Sequence, residues 1–223
     1  KDYAAASARL EEVLRFSGSK YEGKALALCA DMAYNQKEYA KALNLYKRLA
    51  DRSAVQEERL QAEVGALRSA CALGDRAETV TTASALLKQS KLTPEVRSEA
   101  LYFRAKALLA EGQKKSVLAD LTEVAKDTRN VYGAEAKYLV AQTYFDEGET
   151  AKAEKEVLEY IEVSTPHAYW LARSFVLLSD VYVKLDRKME AKQYLLSLQQ
   201  NYQADDDIAG MIESRLEKLK SVK

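Results

Sequence analysis

The sequence predicts an all-α solenoid of stacked helical hairpins. Three observations carry that prediction. A pattern A-x3-[YL]-x2-[LV] recurs along the chain, and its lead positions Ala6, Ala42, Thr79, Val117, Ala153 and Ala191 stand 36, 37, 38, 36 and 38 residues apart. A fixed period of this size means one helical unit repeated, each burying its apolar face on its neighbours. Turn residues fall between the periodic segments in the same phase. Finally, the 223 residues are 48% hydrophobic but hold only 8 Gly and 2 Pro, which argues against a β-rich or loop-rich chain.

A half repeat opens the chain over residues 1–16, where Tyr3, Ala6, Leu10 and Val13 match Tyr39, Ala42, Tyr46 and Leu49. A fragment or processed form of a larger protein is therefore expected, with Leu10 and Val13 or Leu14 more exposed than their counterparts. The next repeat, 19–54, reads as a helix from Tyr21 to Asn35, a turn at Gln36–Glu38 and a helix from Tyr39 to Arg52. Leu26, Cys29, Ala30 and Ala33 share one helical face there. Repeat 57–92 pairs Arg59–Ala72 with Ala77–Ser90 around Gly74-Asp75, and repeat 95–129 pairs Val96–Ala110 with Lys115–Thr128 around Gly112-Gln113. Repeat 131–165 pairs Tyr132–Asp146 with Ala151–Ser164 around Gly148-Glu149. Repeat 167–203 pairs His167–Lys184 with Met189–Asn201 around Asp186-Arg187. Gly74, Gly112 and Gly148 suit the left-handed residue that ends a helix. Thr93-Pro94 and Thr165-Pro166 each read as an N-cap followed by proline at the first helical position. Residues 205–220 read as a capping helix with Ile208, Met211, Ile212, Leu216 and Leu219 on its apolar face. The whole of 1–223 is thus expected to be a single array. Asp205–Asp207 could suggest a cation site, but carboxylates at a helix N-terminus have an electrostatic reason of their own.

Charge and cysteine usage exclude several classes. Lys+Arg and Asp+Glu are both 34, so the net charge is zero and gives no field for nucleic acid or an anionic membrane. No apolar run reaches the ~18 residues of a membrane span. Residues 1–30 hold no basic segment followed by an apolar one. Cys29 and Cys71 have no C-x-x-C or histidine companion and read as small buried apolar residues.

The units resemble the tetratricopeptide repeat (TPR) family, which implies a right-handed superhelix. Ala30, Ala105, Ala141 and Ser179 fill the small position of the first helix, and Ala6, Ala42, Ala153 and Ala191 that of the second. Small side chains there let helix axes approach closely. Leu67, Thr79 and Val117 depart from the pattern, the motif tryptophan is absent, and the period exceeds the 34-residue standard. A narrower resemblance rests on His167–Phe175 and Ala191–Leu195, which are similar to the C-terminal repeats of long TPR proteins of Bacteroidetes bacteria. Those proteins are often exported, which implies the periplasm or cell envelope; the cytoplasm is the alternative.

No constellation for catalysis is legible. The single histidine, His167, begins a helix far in sequence from Cys29 and Cys71, and no phosphate-binding, zinc-protease or dinucleotide motif occurs. No cofactor or metal is expected, and the chain reads as a non-enzyme.

In the TPR family the first helix of each pair lines the concave face. Carried over, those positions are Lys24, Asp31, Tyr34 and Asn35; Val64, Arg68 and Cys71; Glu99, Tyr102 and Lys106; Glu135, Tyr138, Gln142, Phe145 and Asp146; and Arg173, Val176, Asp180 and Lys184. Basic and acidic side chains occur there in equal number, whereas a nucleic-acid groove would be one-sidedly basic. Ala27 and Asp31 stand where the chaperone-tail class of the family has a lysine and an asparagine, so that class is rejected. The site predicted is a protein- or peptide-binding groove of Tyr34, Arg68, Tyr102, Lys106, Tyr138, Gln142, Phe145, Asp146, Arg173 and Asp180, with Tyr138 and Phe145 the foremost candidates for exposed anchors and packing between helices the alternative for each aromatic. The function implied is a non-catalytic binding scaffold whose partner is a protein or peptide, without nucleic acid and without direct membrane insertion. The alternative is a regulatory or ligand-sensing TPR domain of a signalling or DNA-binding protein.

Overall fold

The structure is a computed structural model that describes residues 3–15, 18–163 and 165–220, with the side chains of 3–7 and 115 left out. The described residues form twelve helices and no strand. They are α1 (Tyr3–Arg15), α2 (Glu22–Asn35), α3 (Tyr39–Arg52), α4 (Gln56–Leu73), α5 (Arg76–Leu87), α6 (Pro94–Ala110), α7 (Lys114–Val124), α8 (Val131–Asp146), α9 (Thr150–Glu162), α10 (Ala168–Lys184), α11 (Lys188–Asn201) and α12 (Ile208–Lys220). The chain divides into two compact units, residues 1–113 and 114–223. The repeat expected over 95–129 thus contributes α6 to the first unit and α7 to the second.

Within each unit every helix packs on the next in sequence. In the first unit α4 also meets α6, and in the second α8 meets α10 and α10 meets α12. Ala42, Ala83, Ala105, Ala153 and Ala191 are fully buried, as are Ala30, Ala141 and Ser179 to within 1%. Leu67, Thr79 and Val117 are buried at the expected small positions as well, so the departures are absorbed inside the stack. At the opening half repeat Leu10 and Leu14 are half-buried against Leu26 and its neighbours, while Leu49 is buried. Tyr46 is itself half-buried, so only the Leu49 half of that comparison separates. The expectations for the Tyr3 and Ala6 side chains and for Ser164 lie outside the described residues.

The hairpin turns share one geometry. Gly74, Gly112 and Gly148 have φ of 78–80°, and Lys37 and Asp186 take the same place at 63° and 58°. In each turn an N–H after the left-handed residue returns to the carbonyl five residues earlier, Glu38 to Ala33 at 2.8 Å and Arg187 to Tyr182 at 2.8 Å among them. These bonds satisfy carbonyls that the helix end would leave open.

Side-chain caps differ from the sequence reading at one place. Thr93 accepts from the Val96 N–H ahead of Pro94, as expected. Thr165 does not cap α10, which begins at Ala168 after His167. Its hydroxyl instead donates to the Thr128 carbonyl at 2.8 Å, which fastens it to the preceding repeat. His167 joins the same seam, its Nε2 lying 3.0 Å from the Arg129 carbonyl oxygen. Helix α7 ends at Val124 rather than Thr128. There Asn130 accepts from the Gly133 N–H at 2.8 Å and donates to the Asp127 carbonyl at 2.9 Å. A Cβ on Gly133 would run into that carbonyl, so glycine permits the tight turn.

Cys29 is buried on α2 and Cys71 half-buried on α4, both as free thiols. Burial pushes both thiols above their ordinary pKa.

Candidate functional site

The first unit holds a cleft of about 380 Å³ between α2 and α4. Ala27, Asp31 and Tyr34 line it from α2, Tyr46 and Leu49 from α3, and Gln61, Val64, Gly65 and Arg68 from α4. Its back wall is the Tyr46 ring, held by two features. Tyr46 donates to Asp31 Oδ1 at 2.6 Å. The ring also lies so close over Gly65 that a Cβ there would come within 2.6 Å of it. Burial, then the bond to Asp31, raises the Tyr46 phenol well above its usual pKa, so it stays a donor. Arg68 closes one end with a bidentate pair to buried Glu99, at 2.7 and 2.8 Å. The cleft therefore combines two tyrosines with two acidic side chains, Asp31 and Glu58, and one basic, Arg68, on a backing fixed by hydrogen bonds and glycine.

Tyr102 and Lys106, on α6, do not enter this cleft. Tyr102 is only 7% exposed, which corrects its reading as an open contact surface. Its ring packs 5.6 Å from Phe103, with the Lys106 ammonium 5.9 Å from the ring centre.

The second unit brings Tyr138, Gln142, Arg173 and Asp180 together in a pocket of about 120 Å³, completed by Met211 and Arg215 of α12. Tyr138 is 7% exposed and belongs to the core, a correction to its expected role as an exposed anchor. The reason is its neighbours on α10. The Trp170 ring lies 5.6 Å away and the Arg173 guanidinium 5.1 Å over the Tyr138 face. Only the hydroxyl works at the pocket, donating to Gln142 Oε1 at 2.9 Å and accepting from Arg173 at 3.2 Å. Phe145 is half-buried against the same core rather than standing free. Asp146 is exposed, accepts from Gln142 at 2.7 Å and pairs with Lys114 at 2.9 Å. Asp180 is held by Arg215 through bonds of 2.7–3.0 Å.

Sequence reasoning missed Tyr46, Gln61, Gly65, Met211 and Arg215. Gly65 carried a legible signal, since a glycine inside a helical pattern costs stability and points to a packing reason for its presence. Met211 and Arg215 sit on a helix read only as a cap.

With this geometry in hand, comparison with known structures places the fold. MamA of Desulfovibrio magneticus RS-1 is 18% identical with a TM-score of 0.64, covering 82% of this chain and 97% of its own. YrrB, described as a TPR protein with an unusual peptide-binding site, is 16% identical with a TM-score of 0.66, covering 92% and 97%. A tetratricopeptide repeat protein from Parabacteroides merdae ATCC 43184 is 14% identical with a TM-score of 0.50, covering 96% and 93%. The chain has the TPR fold. No family model and no curated protein matches its sequence.

Proposed function

We propose that this chain is a non-catalytic scaffold that binds a polypeptide along the first helices of its hairpins. The observation carrying this reading is the cleft between α2 and α4, where Tyr34 and Tyr46 offer flat apolar contact beside the polar groups of Asp31, Glu58, Gln61 and Arg68. Rigid aromatic anchors with polar groups beside them suit a peptide, because little conformational freedom is lost on contact. The peptide-binding site named for YrrB supports the reading by analogy of fold. No helix among the described residues is long and apolar enough to cross a membrane. The site predicted in the second unit stays part of the proposal, with its polar groups Gln142, Asp146, Arg173 and Asp180 in place of the buried rings. The resemblance of residues 167–175 makes a bacterial cell envelope the compartment proposed, and fractionation that recovers the protein only from cytosol would refute that part.

The test is selection of phage-displayed random peptides on the purified protein. Enriched peptides should bind the Ala27→Arg variant at least tenfold more weakly, because the long side chain fills the cleft while removing no packing contact. Circular dichroism should stay helical. Undiminished binding by the folded variant, or no enriched peptide at all, would overturn the proposal.

A further inference from the structure

The basic side chains of this protein that are partly buried are, in several cases, matched to a carboxylate at short range. Arg68 grips Glu99 through both arms. Arg187 holds Glu154 at 2.5 Å and Glu190 at 2.6 Å. Arg215 holds both oxygens of Asp180. Arg173 is different. Its side chain is 25% exposed, and its one carboxylate contact among the described residues is Asp207 at 3.4 Å, a distance at which a hydrogen bond is weak. Its other partners are hydroxyls, Tyr169 at 3.1 Å and Tyr138 at 3.2 Å. The rings of the same two tyrosines flank the guanidinium, 5.1 and 5.8 Å from it.

That environment keeps the charge without neutralising it. Aromatic faces and hydroxyl oxygens stabilise a cation but carry no net negative charge. Across the pocket the Asp180 charge is already taken by Arg215. The remaining carboxylate, Asp207, is exposed and immediately precedes α12, the helix that brings Met211 and Arg215 to the pocket. The pocket thus has a cation with spare capacity, apolar walls at Val176, Leu177 and Met211, and about 120 Å³ of room. That is room enough for a carboxylate with a methylene or two. A planar guanidinium suits a planar carboxylate better than an ammonium does.

We infer that Arg173 seats a carboxylate of the bound polypeptide between α8, α10 and α12, displacing the loose contact to Asp207. The inference rests on the polypeptide-binding reading for its biological ligand, but the seat can be tested without a peptide partner. Asp207 then acts as a built-in competitor that keeps the empty seat from attracting anions at random.

The probes are N-acetylglutamate methylamide, which offers a side-chain carboxylate, and N-acetylalanylalanine, which offers a chain end. Their glutamine and C-terminally amidated counterparts serve as controls. In ¹⁵N-labelled protein the Arg173 Nε–H signal, identified by its loss in Arg173→Lys, should shift saturably at millimolar probe. The controls should produce less than a tenth of that shift. Response to the glutamate probe alone assigns the seat to an acidic side chain, and response to the other alone assigns it to a C-terminus. Asp207→Asn, a change at an exposed position, should tighten the responding probe about threefold, as expected for removing one exposed ion pair. Equal shifts from probes and controls, or no tightening in Asp207→Asn, would overturn the inference. Peptides that bind while carboxylate probes do not would sink the seat alone. The reverse outcome would sink the scaffold reading alone.

Discussion

At Gly65 two opposing effects meet. Alanine is favoured over glycine inside a helix by about 1 kcal/mol. A Cβ at this position, however, would meet three atoms of the Tyr46 ring at 2.6–2.7 Å, and the ring is tethered to Asp31. Overpacking of this kind costs ~1–3 kcal/mol. Gly65→Ala should therefore destabilise the protein in urea, and the loss should vanish when Tyr46→Ala accompanies it. A more stable Gly65→Ala single variant would show that the ring moves aside freely. Ala153 offers a companion test, since it is fully buried at a helix crossing. Ala153→Leu should cost ~1–3 kcal/mol by the same mechanism, and an unchanged melting temperature would contradict the packing. The small positions were legible because their spacing repeats. The exposure of Tyr138 was not, because periodicity gives the face on which a ring lies but not the Trp170 and Arg173 side chains that cover it.

Helix boundaries followed the sequence where the turn chemistry is local. Gly74, Gly112 and Gly148 announced their turns, and the same left-handed place in two other hairpins falls to Lys37 and Asp186. A side chain in that conformation costs ~1–2 kcal/mol, less for Asp, which tolerates it better. Lys37→Gly should raise stability by about 1 kcal/mol after glycine's own entropy cost, and Asp186→Gly by less. Absence of any gain at Lys37 would mean that its side chain contributes contacts that offset the strain. Boundaries set by distant partners were harder to read. Thr165 resembles Thr93 in sequence, yet its hydroxyl is drawn to Thr128 in another repeat. The early end of α7 depends on Asn130 and Gly133 closing over Asp127, an arrangement that no helical pattern encodes.

Across the whole molecule the zero net charge leaves no global field, so electrostatic behaviour comes from local groups. Burial, followed by the neighbouring Tyr194, pushes the Tyr182 phenol up to about 12 from an ordinary 10.0. Burial, followed by a bond to Asp206, does the same to Tyr202. A phenol whose pKa is raised by folding favours the folded state while it stays neutral. The unfolded chain ionises first as pH passes 10, so stability falls from there to about 12. The urea midpoint should drop across this window, and less steeply in Tyr182→Phe; identical slopes would refute the assignment. The repeat period made the hairpin architecture legible end to end. It did not foretell that one repeat would be shared between two compact units, because the pattern is the same on both sides of Gly112. The two free thiols carry a last consequence. Cys29 and Cys71 lie on the opening helices of successive hairpins, and burial keeps both from ionising readily. Alkylation then waits for a thiolate at both, and at buried Cys29 for an opening event as well. Cys29 is thus a chemical clock for its own hairpin, and the rate at which it is labelled would trace how often that part of the stack unravels.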